Sequence, residues 1–345
     1  MSTTVSATVS ATDLGLVLIL GALVLDRWIG DPARLLHPVV VMGWWIQRLR
    51  RRAEAWAGDQ PQRLRLAGGL ITLTLVLGSG ASGWCLERLL WLPMPWSWLG
   101  ALLLTVALAS ALAARSLADG VGAVLHALPS GGGDDLSPAR QKLSWIVGRD
   151  VQRLDEAGIL RAAAETASEN AVDGIFAPLF WMGVGLMIWS FAPEGPGPLA
   201  LAWAFKASST LDSMLGYRDG KLRWLGTAGA RLDDALTWLP CRLVMLTLPL
   251  ISRPWRQWFD LVLAAERDGA ADPSPNAGRS EAIYAHCAGV RLGGRNLYAH
   301  GWVNKPVLAA AQPPADRGAV GRILNLSLRL QGLWLLLLTL GTLAQ

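Results

Sequence analysis

The densest chemistry in this chain lies in residues 161–174, RAAAETASENAVDG. Helical residues four apart share a face, so Arg161, Glu165, Glu169 and Asp173 form one stripe. Three acids in a row repel one another unless something cationic answers them. Arg161 can answer one, and Mg²⁺, which prefers carboxylate oxygen, could answer the rest. Ser168 and Asn170 flank the stripe, and Gly174 suits a helix stop. A solvated acidic face would show the same spacing. Because the stripe runs straight into an apolar stretch, both readings stay open.

A second set occupies residues 206–234, KASSTLDSMLGYRDGKLRWLGTAGARLDD. Lys206 and Asp212 lie inside an otherwise span-like run, where ionisable groups are costly and usually mark a site. They are six apart and do not share a helix face. Lys221, Arg223 and Arg231 are cations suited to phosphate, and Asp233 with Asp234 adds metal-capable oxygen. Two weaker sets complete the picture. Asp26, Asp31-Pro32 and His37-Pro38 follow an apolar helix end, where an interfacial cap anchored by Trp28 would look the same. Ser274, Pro275, Asn276 and Gly278 form a polar loop opening a helix at Ser280, whose free amides would suit an anion. Gly293-Gly294 permits a close-approach turn, although an ordinary structural loop has this composition too.

Familiar nucleotide signatures are missing. Residues 216–222 (GYRDGKL) are too short in glycine spacing for a phosphate loop, and neither GxGxxG nor GxSxG occurs. Cys85, Cys241 and Cys287 show no CxxC spacing, and the four histidines show no metal-ligand spacing.

These groups must be positioned by helices in a bilayer. The hydrophobic fraction is 52%, mean hydropathy is +0.35 and charged residues make up only 17%, against about 25% in a soluble domain. The reading is an all-α, polytopic helical membrane protein with about five to seven membrane segments. One integral membrane domain covers 1–345. Seven stretches compete as spans: 10–26, 67–91, 98–117, 174–192, 197–216, 235–252 and 326–344. No strand-like alternation is long enough to argue a sheet, and 306–314 reads as a linker. The first basic residue is Arg27, so the charged start of a signal peptide is missing and 14–25 is expected to stay as a short membrane helix.

Net charge is +5, but the arginines cluster in loops between apolar runs, as topology demands, rather than on a nucleic-acid-binding face. No nucleic-acid partner is expected. The polar segments 27–65, 118–173, 217–234 and 253–325 are expected to be cytoplasmic. If 235–252 crossed fully, the nine Lys and Arg of 253–325 would land outside. A re-entrant or interface-lying helix at 235–252 avoids this.

Taken together, the polar segments resemble the CobD/CbiB family, adenosylcobinamide-phosphate synthases of cobalamin biosynthesis. The matching pieces are Asp26…Gly30-Asp31-Pro32…His37-Pro38, then Glu165-Thr166…Glu169-Asn170…Asp173-Gly174…Ala177-Pro178. They continue with Lys206…Thr210-Leu211-Asp212-Ser213-Met214…Gly216-Tyr217, Ala230-Arg231-Leu232-Asp233-Asp234 and Ser274-Pro275-Asn276-Ala277-Gly278. Ser209 stands where the family pattern has asparagine, and the stretch after Gly294 also departs from it.

The resemblance implies ATP-dependent amide formation between adenosylcobyric acid and (R)-1-amino-2-propanol phosphate at the inner (cytoplasmic) membrane. It implies Mg²⁺ as cofactor, ATP as co-substrate, and the corrinoid, the aminopropanol phosphate and the lipid bilayer as partners. Lys206, Asp212, Glu169 and Asp173 are the expected catalytic residues. Asp31, His37, Asn170, Ser213, Tyr217, Lys221, Arg231, Ser274, Asn276 and Gly278 are expected to bind substrate or ATP. Glu165, Glu169, Asp173, Asp233 and Asp234 are expected to hold metal. The competing classes are a membrane transport or binding protein and a non-catalytic regulator. Sidedness is checked by impermeant thiol labelling in intact cells of single cysteines at Gly58, Gly132 and Ala271. All three should be protected, and labelling at Ala271 alone would place 253–325 outside.

Overall fold

The computed structural model describes residues 10–31, 37–129, 135–217, 219–298 and 301–343. In chain order the helices are α1 (Ala11–Ile29), α2 (Pro38–Ala57), α3 (Pro61–Glu87), α4 (Trp96–Ala109), α5 (Ala114–Ala127), α6 (Ser137–Leu143) and α7 (Glu156–Ala171). Then come α8 (Ala177–Phe191), α9 (Pro198–Leu215), α10 (Leu222–Leu225), α11 (Thr227–Ser252), α12 (Trp258–Gly269) and α13 (Ala277–Ala288). A hairpin of β1 (Leu292–Tyr298) and β2 (Gly301–Leu308) precedes α14 (Arg317–Leu343).

Among the described residues five helical runs are long and apolar enough to cross a membrane: Pro61–Trp91, Trp96–Ala127, Glu156–Phe191, Thr227–Ser252 and Arg317–Leu343. The protein is a polytopic helical membrane protein. Two of the competing stretches fall outside this set. The first, α1, carries Asp13, Asp26 and Arg27, while α9 carries Lys206, Asp212 and several hydroxyl side chains. Residues 235–252, expected as a re-entrant or interfacial piece, belong to one continuous helix of 26 residues that Pro240 and Pro249 do not interrupt.

The chain gathers into two compact units, each assembled from sequence-distant pieces. The first comprises residues 1–112, 178–233 and 334–345. Its core joins Met42 and Ile46 of α2, Leu64, Ile71 and Leu75 of α3, and Leu211 and Leu215 of α9, all buried. Lipid tails are as apolar as these side chains, so close packing rather than escape from water holds the helices together. Small residues let backbones touch, as in membrane helix pairs generally. A Cβ added at Gly83 would lie 2.8 Å from the Ala200 Cα, and one at Gly68 only 2.0 Å from the Leu225 carbonyl oxygen.

The start of α9 is held from outside its own sequence. Gly197 at the N-cap has no side chain with which to cap, and Pro198 follows it. The buried carboxylate of Glu87, at the end of α3, accepts instead from the backbone N–H groups of Gly197 (2.8 Å), Leu199 (2.7 Å) and Ala200 (3.0 Å). A helix N-terminus leaves unpaired donors and a partial positive charge, and one carboxylate answers both. This contact positions the helix that carries Lys206 and Asp212.

The second unit comprises residues 113–177 and 234–333. Asp155 caps α7 by accepting from the Gly158 N–H at 2.8 Å. Gly174, expected as a helix stop, lies instead in a π-turn, Val172–Phe176, that leads directly into α8. Its carbonyl accepts from the Ala113 N–H at 2.9 Å. The π-turn changes the register, so the stripe Arg161–Glu165–Glu169 does not continue unaltered to Asp173.

The hairpin corrects the reading that no stretch argues a sheet, and part of the expected 306–314 linker belongs to β2. Leu292 pairs with Leu308 and Tyr298 with Gly301, with a register shift between Gly293 and Gly294. Gly293 has φ 77°, and a Cβ there would meet the Pro306 carbonyl oxygen at 1.9 Å. The glycine is therefore required by the bulge opposite a proline, which has no N–H to offer a ladder.

Replacing Glu87 by Gln keeps the side chain's shape but removes its charge and one acceptor oxygen from three buried donors. Stability should fall by about 1–3 kcal/mol, read as a lower thermal-unfolding midpoint in detergent. An unchanged midpoint would mean that α9 is held by its apolar packing alone.

Candidate active site

In the first unit the site residues line α9 and the polar segments near its end. Lys206 and Asp212 are half-buried, while Ser213 and Tyr217 are exposed. The Asp212 carboxylate is seated against Gly216, where an added Cβ would come within 2.1 Å of its Oδ1. Lys221 is a surface cation, 3.0 Å from the exposed Asp59, and such pairs contribute little. Arg231 is exposed and Asp233 buried. His37 Nδ1 accepts from the Val39 N–H at 3.3 Å, capping α2. Its Nε2 therefore carries the ring hydrogen and faces Asp31 Oδ1 at 3.2 Å. Pro32, between the two, lies outside the described residues.

The second unit gathers Glu165, Glu169, Asn170, Asp173, Asp234, Ser274, Asn276 and Gly278. Glu165, expected among the metal ligands, is engaged at both oxygens. Oε2 pairs with the Arg149 guanidinium, and Oε1 accepts from the Gly293 N–H at 2.8 Å. Arg149 also donates to Asn296 Oδ1 at 2.6 Å. Burial opposes the charge of Arg149, but the neighbouring Glu165 outweighs it and holds the guanidinium more firmly protonated than in water. Arg161 ties the same carboxylate to the hairpin, donating to the Gly293 and Arg295 carbonyls.

A second charged knot stands beside the first. Lys305 on β2 donates to Glu281 of α13 at 3.2 Å and lies 3.6 Å from Asp272. Burial pushes the Glu281 carboxyl well above the usual range, with Lys305 pulling it back and Glu165 and Glu169 adding to the rise. Burial likewise opposes charge on Lys305, yet Glu281, Glu169 and Asp272 together hold it above an ordinary lysine.

The loop 272–278 is built from its own side chains. Asp272 accepts from the Ser274 N–H at 2.9 Å, and Ser274 Oγ accepts from the N–H groups of Asn276 (3.3 Å) and Ala277 (3.2 Å). Asn276 donates to the Asp234 carbonyl at 2.8 Å and accepts from Arg242 at 2.7 Å. Asn276 is thus a buried crosslink, and the helix amides expected to await an anion are partly answered by Ser274. Asp234 meets this loop, while its neighbour Asp233 belongs to the other unit. Among the described residues no three His, Cys, Asp or Glu side chains gather as a cation cage.

Sequence reasoning missed Glu281, Lys305, Asp272 and Asn296, and read Arg149 only as a loop charge. Glu281 had one visible signal: it is an acid in an otherwise small and apolar helical run, SEAIYA. Lys305 had none, because its partners are distant in sequence.

Apolar helices, a half-buried lysine and aspartate on α9, and charge networks tied by guanidinium and ammonium groups define a polytopic membrane protein with a polar site built into its helices. The chain belongs to the CobD/Cbib family, whose model (CobD/Cbib protein) matches residues 19–327. It is 39% identical over 327 residues to the cobalamin biosynthesis protein CobD of Synechocystis, covering 95% of this chain and 91% of that one. It is 37% identical over 324 residues to CobD of Yersinia enterocolitica, covering 92% and 95%, respectively. The cobalamin biosynthesis protein CbiB of Salmonella typhimurium is 38% identical over 310 residues, 88% of this chain and 90% of that one. No solved structure matches.

Lys305→Met keeps an apolar stem but strands Glu281 and Asp272 without their cation. Removing one partner of a buried pair costs about 3–5 kcal/mol, so the unfolding midpoint should drop markedly. Lys305→Met with Glu281→Gln should recover part of that loss. Equal midpoints for Lys305→Met and the parent would remove the pair from the stabilising interactions.

Proposed function

We propose that this protein joins the propionate carboxylate of adenosylcobyric acid to the amine of (R)-1-amino-2-propanol phosphate, with ATP as co-substrate. The observation that carries the reading is family membership across nearly the whole chain, with relatives named for cobalamin biosynthesis. Half-buried Lys206 and Asp212 stand at the family's motif positions, and a lysine and an aspartate are groups that phosphoryl and acyl transfer can use.

A carboxylate is a poor acyl donor. The reaction is balanced by transfer of the γ-phosphoryl group of ATP to the corrinoid carboxylate, giving an acyl phosphate and ADP. The neutral amine then attacks the acyl carbon, the C–N bond forms, phosphate leaves and the amine loses a proton. Lys206 is suited to hold a phosphate or acyl-phosphate oxygen as a compact point charge. Asp212 is suited to orient the amine and to receive its proton, since Gly216 leaves its carboxylate room.

Mg²⁺ held by one or two carboxylates together with substrate phosphates would serve this reaction. Glu169 and Asp173, both half-buried, would be those carboxylates, and Glu165 is excluded by its own partners. The ion would supply neutralisation of phosphate charge. ATP use also argues for an inner-membrane enzyme with its polar loops facing the cytoplasm.

Purified protein should consume ATP only when corrinoid and amine are both present, with amide appearing in equal amount. Lys206→Met should leave the fold intact and lower turnover by about 10²–10³-fold, the scale of losing one charge-stabilising donor. Glu169→Gln and Asp173→Asn should abolish turnover while the protein remains membrane-inserted. Substrate flux into liposomes without ATP consumption would replace the ligase reading by transport.

A further inference from the structure

The second unit holds a cavity of about 450 Å³ that neither the amide-forming residues nor the two charged knots line. Arg253, Arg322 and Arg329 line it, with Gln312, Asn325 and the backbone of Gly289. Among the described residues no Asp or Glu lines it. All three arginines are exposed to solvent and share one open space, so an anion settling there is attracted by all three at once. The planar donor fork of arginine matches phosphate oxygens in particular, and two amide side chains add neutral donors. Arg322 is aimed by a bond from its Nε to the Ala288 carbonyl at 3.0 Å. Gly289 closes α13 with φ 66° and keeps the wall thin, since a Cβ there would stand 3.1 Å from Arg253 Nη2.

The surroundings indicate the source of that phosphate. Arg253 directly follows α11, a helix long and apolar enough to cross a membrane, with Leu246 and Leu250 exposed near its end. Arg322 and Arg329 lie on α14, a second such helix. Beyond Arg253 the side chains of Trp255 (75%), Phe259 (62%) and Leu263 (52%) are exposed at four-residue intervals, and Arg256 stacks on Trp255 at 5.9 Å. An apolar stripe with a tryptophan and flanking arginines suits a helix lying in the headgroup region.

We infer that this cavity seats the phosphate of an anionic phospholipid, with the Trp255–Leu263 stripe resting in the same leaflet. The site is independent of the amide-forming chemistry. Its ligand class is a phosphate-bearing anion, shared in principle with soluble phosphate esters, and the experiment separates the two sources.

Full-length protein in neutral detergent would be titrated with phosphatidylglycerol, phosphatidylcholine or glycerol 1-phosphate, with retained ligand counted by native mass spectrometry and thermal unfolding measured in parallel. Phosphatidylglycerol should bind and stabilise, and at least about fivefold more tightly than phosphatidylcholine, as expected for even one arginine acting on anionic lipid. Arg253→Gln with Arg329→Gln should weaken it by about fivefold for each arginine removed. Equal binding of the two lipids by the parent protein overturns the proposal without reference to any variant. Undiminished selectivity in a folded double variant overturns it as well. Glycerol 1-phosphate binding as tightly as the lipid overturns the lipid source.

Discussion

A charge placed among apolar helices has no water to answer it, so another part of the chain must. Glu165 is the clearest case. Its two oxygens are answered by Arg149, from the segment before α7, and by the Gly293 N–H at the bulge of the hairpin. Arg161 and Asn296 close the same knot. The hairpin, the helix and the preceding loop are held together through one carboxylate, because none of these partners can leave without stranding a buried charge. Lys305 and Glu281 repeat the device on the other strand.

The first unit applies the same constraint to backbone. There the unpaired groups are the first N–H donors of α9, and the answering charge is Glu87, more than a hundred residues earlier in the sequence. A carboxylate in an apolar helix therefore does not by itself mark catalysis. Glu87 and Glu165 are spent on architecture, whereas Glu169, Asp173 and Asp212 remain only half-buried.

Much of the polar map was visible in the sequence. Lys206 and Asp212 stand out because a span-like run should not contain them, and the acidic row of 161–173 stands out by its spacing of four. The spacing could not show that one of those acids is consumed by an arginine that looked like a loop charge. The π-turn at Val172–Phe176 was equally hidden, since Gly174 reads as a stop and the chain passes through it. The hairpin escaped because its pairing is carried by Arg295, Asn296, Asn304 and Lys305 rather than by alternating apolar residues.

Composition alone determined that this chain lives in a bilayer: long apolar helices with few charges have no stable alternative in water or lipid. Ordered motifs determined the family. Tertiary structure decided which charges are partners, because ion pairs form between residues that are neighbours in space and carry no mark of each other in sequence. It also decided the units, each gathered from pieces that the chain visits more than once. The physical reason is the same in both cases. Apolar burial depends on residue type and can be summed locally, whereas answering a buried charge needs one particular group delivered by the fold to within about 3 Å.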